Sequence, residues 1–222
     1  MYQENCASQR LHEYEANLLL FSNSADKAFC LQEGTNHIFV SAPHSYEHVR
    51  KGEHKAAEPG TGALALMLLK ELGCSIAYRT SLEGGDPNWD ETSPYRSAVH
   101  DSVSKLGCVL LLDLHQLSPM RDVDVNLGIN GGRNILGNTW IADFIEDVFV
   151  QAGFTNTLLD TPFAASKPQT VAASTALQCG IPSVQIEMNT RYLMPSYEEY
   201  DPIRIYDALT SIVRHMEEAL TR

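Results

Sequence analysis

Short apolar runs alternate with longer segments of helical spacing along most of this chain. The run Ile38-Phe-Val-Ser-Ala42, bounded by Gly34-Thr-Asn36 and by Pro43, reads as a buried strand. Pro59 stands where a first-turn proline belongs, and residues 63–72 are strong helix formers stopped by Gly73. Residues 74–78 form a second strand, 93–105 a helix, 108–113 a strand and 124–128 another. A helix over 139–151, a strand near 157–160, a helix around 170–178, a strand over 183–188 and a final helix over 203–221 complete the pattern. Such alternation predicts an α/β fold, a mainly parallel mixed sheet with helices on both faces. The first 35 or so residues read instead as a β-hairpin, 17–21 with 28–32, added at the sheet edge.

Composition narrows the function classes. The 222 residues carry 28 Asp and Glu against 16 Lys and Arg, a formal charge of −12. A chain so acidic offers no surface for nucleic acid, which is held by basic groups that release counterions. It is equally unsuited to a membrane surface, and no run of about 18 apolar residues would cross one. Five dispersed cysteines without a Cys-x-x-Cys pair read as reduced thiols. The start lacks a basic region followed by an apolar stretch, so the expected location is cytoplasmic. Pro and Gly are scattered, which predicts one domain over 1–222, with strands in 1–36 and a catalytic core in 37–222.

In open α/β sheets, ligands bind outside the carboxyl ends of the strands. Four polar residues stand there: His44, Glu58, His115 and, inside an apolar strand, Glu187. Two histidines and a carboxylate are a ligand set that catalytic zinc uses, and Asp113, two residues before His115, would orient a ligand from behind. The formal Gly-x-Gly-x-x-Ala match at 60–65 admits a dinucleotide-binding oxidoreductase, but a hydrophilic stretch separates it from the preceding strand.

Val40-Ser-Ala-Pro-His-Ser45, Glu58-Pro-Gly-Thr-Gly62, Leu112-Asp-Leu-His115 and Val184-Gln-Ile-Glu-Met-Asn-Thr-Arg-Tyr192 together resemble the N-formylglutamate amidohydrolase family and its zinc carboxypeptidase-like relatives. The Glu-Pro-Gly-Thr stretch is also similar to that of poly-γ-glutamate hydrolases. The resemblance implies a zinc exopeptidase-like fold and one Zn²⁺ ion held by His44, Glu58 and His115. It further implies Glu187 as the catalytic carboxylate and Arg191 as a contact to a small anionic amide or peptide substrate. Asn88 and Arg79 are further substrate-binding candidates. Two departures stand out. An insertion over 45–57 brings Glu47, at His-x-x-Glu spacing, as a rival to Glu58, and Pro162-Phe-Ala-Ala165 replaces a glycine-rich turn. A metal-binding homologue without turnover is the non-enzymatic alternative.

Overall fold

The computed structural model describes residues 2–21 and 27–222, with side chains from Ser8 onward. Its centre is a seven-stranded sheet in the order β1-β5-β2-β6-β9-β7-β8, built from β1 (Phe29–Gln32), β2 (Ile38–Ala42), β5 (Ser75–Arg79), β6 (Leu110–Leu117), β7 (Val125–Gly128), β8 (Thr157–Leu159) and β9 (Ser183–Asn189). Strands β5, β2, β6 and β9 run parallel; β1 is antiparallel to β5, and β7 to β9. The inserted segment forms a separate two-stranded ribbon, β3 (His48–Arg50) with β4 (Glu53–Lys55).

Alternation along the buried strands decides which helices go where. Val40, Ala42, Ile76, Leu112, Leu114 and Ile186 face a large core closed by α1 (Tyr2–Leu20), α2 (Pro59–Leu72), α4 (Thr139–Gln151) and α7 (Pro202–Leu220). Phe39, Ala77 and Leu111 face the other way, against α3 (Pro94–Leu106) and α5 (Val171–Cys179). A single turn of helix, α6 (Thr190–Leu193), follows β9. The α2 helix ends as its sequence predicts: Gly73 adopts φ 73°, and its N–H donates to the Leu69 carbonyl. No helix among the described residues is long and apolar enough to cross a membrane.

The amino-terminal hairpin is not formed. Residues 17–21 belong to the end of α1 and its following turn, and residues 22–26 lie outside the described part. Only the 28–32 half is a strand, β1, which does border the sheet antiparallel to β5. Helix wins because Leu11, Tyr14, Leu18 and Phe21 recur at three- and four-residue spacing. Tyr14 is fully buried, its hydroxyl donating to the Leu193 carbonyl at 2.9 Å, and Phe21 packs edge-on against Tyr78.

Chain order creates a crevice. From β2 the chain passes through α2 to β5 on one side, and from β5 through α3 to β6 on the other. The carboxyl ends of β2 and β6 are therefore a topological switch point.

Candidate metal centre

Strand lengths bring the polar residues together. Asp113 lies between Ser41 of β2 and Gln185 of β9, and beyond it β6 runs past the end of β2 and pairs with β9 alone, His115 opposite Glu187. His44 follows β2 immediately and fills the space beside His115, the rings 4.9 Å apart. Glu58 caps α2 by position, but its side chain accepts no bond from that helix. It turns instead to the histidines. Oε1 lies 3.4 Å from His44 Nδ1, and Oε2 3.2 Å from His115 Nδ1 and 3.0 Å from the Gln116 amide.

The opposite ring nitrogens face carboxylates. His44 Nε2 is 3.0 Å from Asp86 Oδ1, and His115 Nε2 is 3.2 Å from Asp113 Oδ2. Both aspartates are completely buried. Asp86 favours the His44 tautomer protonated on Nε2, which turns its Nδ1 lone pair toward Glu58, while His115 Nε2 faces both Asp113 and the Asn88 amide and its Nδ1 likewise faces Glu58. One ligand atom from each of the three residues lies within 4.8 Å of the others, close enough for a single ion to bridge them. The three residues thus fit a zinc ion in donor type, spacing and support. Glu47, the rival carboxylate, is exposed on the ribbon beside His54 and takes no part in the cluster.

Electrostatics follow the same contacts. Burial lowers the His44 pKa, yet Glu58 and Asp86 outweigh it and the net shift is upward. His115 is raised well above its usual value because Asp113 and Glu58 likewise overcome burial. Burial alone would raise Glu58, but His115 and His44 hold it well below the usual carboxylate range. Glu187 differs: burial dominates and pushes it from 4.5 up to about 7. Its Oε1 accepts a bond from Gln185 Nε2 at 2.8 Å, and no cation pairs with it among the described residues.

A second ligand-type group, His44 with His48 and Asp86, lies behind the first. His48 stacks on His44, rings 4.0 Å apart and nearly parallel, and burial with the neighbouring His44 pushes its pKa down to about 3. The Arg50 Nε donates to Asp86 Oδ2, so a guanidinium already satisfies the carboxylate that a second ion would need.

His44, Glu58, His115 and Glu187 line a cleft of about 390 Å³, with Asn88, Trp89, Arg50, Gln185 and the segment 162–167 around them. A larger groove, about 770 Å³ between α1, α4 and α7, contains neither ligand group. Of the expected substrate contacts, Asn88 lines the cleft, but both its amide atoms have partners: Nδ2 lies 2.9 Å from His115 Nε2, and Oδ1 accepts the Val171 amide at 2.8 Å. Arg191 and Arg79 do not line it. The Arg191 guanidinium pairs with Asp124 and lies against the Tyr192 ring. Arg79 is buried and donates to the carbonyls of Ser81, Leu82 and Glu83 at 2.6–3.0 Å, clamping the loop that carries Asp86 and Asn88.

Sequence reading missed Asp86, Gln185, His48 and Arg50. Gln185 had a signal: Asp113-x-His115 and Gln185-x-Glu187 repeat the same polar alternation on adjacent buried strands. Asp86 was hidden in Asp-Pro-Asn, which forms a turn on its own merits.

No protein-family model matches the chain, and no curated protein sequence matches it. Solved structures do. The seven-stranded, mainly parallel sheet with helices on both faces is an α/β fold that this chain shares with solved structures. Three examples carry the comparison. N-formylglutamate amidohydrolase from Ralstonia eutropha JMP134 has a TM-score of 0.62 at 15% identity, covering 88% of this chain and 99% of that one. Gene product Atu2144 from Agrobacterium tumefaciens gives 0.61 at 13% identity, covering 87% and 95%. A bacteriophage poly-gamma-glutamate hydrolase gives 0.56 at 14% identity, covering 89% and 94%.

Proposed function

We propose that this chain is a zinc-dependent amidohydrolase acting on a small carboxylate-bearing amide, either an N-formyl or N-acyl amino acid such as N-formylglutamate or a γ-glutamyl amide. The observation that carries the reading is the convergence of His44 Nδ1, His115 Nδ1 and Glu58 on one point, in the same cleft as an unpaired buried carboxylate, Glu187. Two solved structures of this fold bear the names N-formylglutamate amidohydrolase and poly-gamma-glutamate hydrolase, which supports the substrate class.

When bound, zinc would acidify the attacking water and polarise the scissile carbonyl. The rest belongs to the chain. Asp86 and Asp113 orient the imidazoles so that each turns Nδ1 toward Glu58. Glu187 has Oε1 fixed by Gln185, so Oε2 is the atom that takes the water's proton. As the water oxygen bonds to the carbonyl carbon and the C–N bond breaks, that proton passes to the leaving nitrogen, giving a carboxylic acid and an amine. A carboxyl pKa lifted toward 7 suits both directions of transfer near neutral pH.

The test is metal analysis of the purified protein together with a panel of N-formyl, N-acetyl and γ-glutamyl amino acids, scored for released amine. The expected result is one zinc per chain and release from at least one class. Stoichiometric zinc with no release from any would favour a metal-binding protein without turnover.

A further inference from the structure

Three cations surround the indole of Trp89. Lys167 Nζ lies 3.5 Å from a ring centroid, Lys51 Nζ 4.5 Å and the Arg50 guanidinium carbon 5.7 Å. They arrive from opposite parts of the chain, Arg50 and Lys51 from the β3–β4 ribbon and Lys167 from the segment before α5. Arg50, Trp89 and Lys167 line the cleft that holds the metal ligands.

Of the six lysines, Lys55, Lys70 and Lys105 each reach a glutamate, at 2.8, 2.6 and 2.6 Å. Lys27, Lys51 and Lys167 reach no carboxylate within 4.0 Å among the described residues, although the chain has 28 acidic side chains to offer. Of these three, Lys51 and Lys167, both exposed, stand at Trp89. Arg50 is already committed to Asp86. Two ammonium groups with no carboxylate partner within 4.0 Å among the described residues, both within 4.5 Å of the Trp89 ring centroid and beside a cleft whose inner wall is acidic, make a local positive site in a chain of charge −12.

We propose that Lys51, Lys167 and Trp89 form an anion subsite that grips a carboxylate of the substrate, the task that Arg191 is not positioned to perform. The identity of the substrate rests on the hydrolytic reading above; the subsite itself does not require turnover. An incoming carboxylate pairs with both ammonium groups while Trp89 shields one side of the contact from water, which strengthens it.

The zinc-loaded protein carrying Trp140→Phe leaves Trp89 as its indole reporter, and glutarate, glutaramide and inorganic phosphate serve as probes. Glutarate is expected to change the emission of Trp89. In the double variant Lys51→Met/Lys167→Met its affinity should fall on the order of tenfold, with glutaramide unaffected. Affinity for glutarate within twofold of the parent, or tighter binding of phosphate than of glutarate, overturns the assignment. Where a substrate such as N-formylglutamate is turned over, the double variant should raise KM about tenfold with a smaller effect on kcat. A loss confined to kcat also overturns the subsite. If nothing is hydrolysed but the double variant still loses glutarate, the subsite stands and the hydrolytic reading fails.

Discussion

Each histidine of the centre is useful because of what stands on its far side. Replacing Asp86 or Asp113 by Asn would remove the charge that orients the imidazole while keeping the shape of the side chain. Either change should weaken zinc binding by about 10- to 100-fold, read by competition with a chromogenic chelator. Glu187 stands outside the candidate ligand groups, and the proposed hydrolysis assigns it to the water and not the ion. Glu187→Gln should retain zinc and lose on the order of 10²- to 10⁴-fold in kcat. The same residue sets a pH signature in the metal-free chain. Its folded pKa of about 7 exceeds the ordinary 4.5, so the fold favours the protonated form. Its stability contribution is complete below pH 4.5 and is lost as pH rises through 7, by up to roughly 3 kcal/mol. Glu187→Gln should flatten that loss in denaturant titrations of the metal-free protein at pH 5 and pH 8. The metal-ligand candidates were legible because unusual polar residues ended apolar strands. The partner of Arg191 was not legible, because its sequence distance from Glu187 says nothing of the contact its guanidinium makes with Asp124.

At the scale of elements, the strands and most helices could be read because each had a short apolar run or a helical spacing with a clear stop. The α1 helix escaped because Leu18-Leu-Leu-Phe21, seen alone, looks like a strand; its period shows only when Leu11 and Tyr14 are counted with it. That helix also explains the glycines of the dinucleotide-like match. A Cβ on Gly62 would meet the Phe21 ring at 2.2 Å, and one on Gly60 the Tyr14 hydroxyl at 2.6 Å. These glycines let α1 close on α2. Gly62→Ala should therefore cost about 1–3 kcal/mol, and Phe21→Leu in the same chain should recover part of it, a coupling that a double-mutant cycle in urea would measure. The 45–57 insertion was legible as a departure but not as a ribbon. Its three-residue strands are too short to signal themselves, yet they deliver His48 to His44 and Arg50 to Asp86.

For the molecule as a whole, Glu58 is the telling feature. It begins α2, yet its carboxylate serves two segments outside that helix, and His115 lies 57 positions along the chain from it. An ion held by His44, Glu58 and His115 would act as a cross-link that closes long loops of the polypeptide, so its binding would add to the folding free energy. Chelation should lower Tm, by an amount that grows with the zinc concentration it reverses, as calorimetry would show. The loss should be uneven. Amide hydrogen exchange should quicken first in the opening turn of α2, which hangs on Glu58, while β6 and β9, laddered to each other through seven residue pairs, keep their protection.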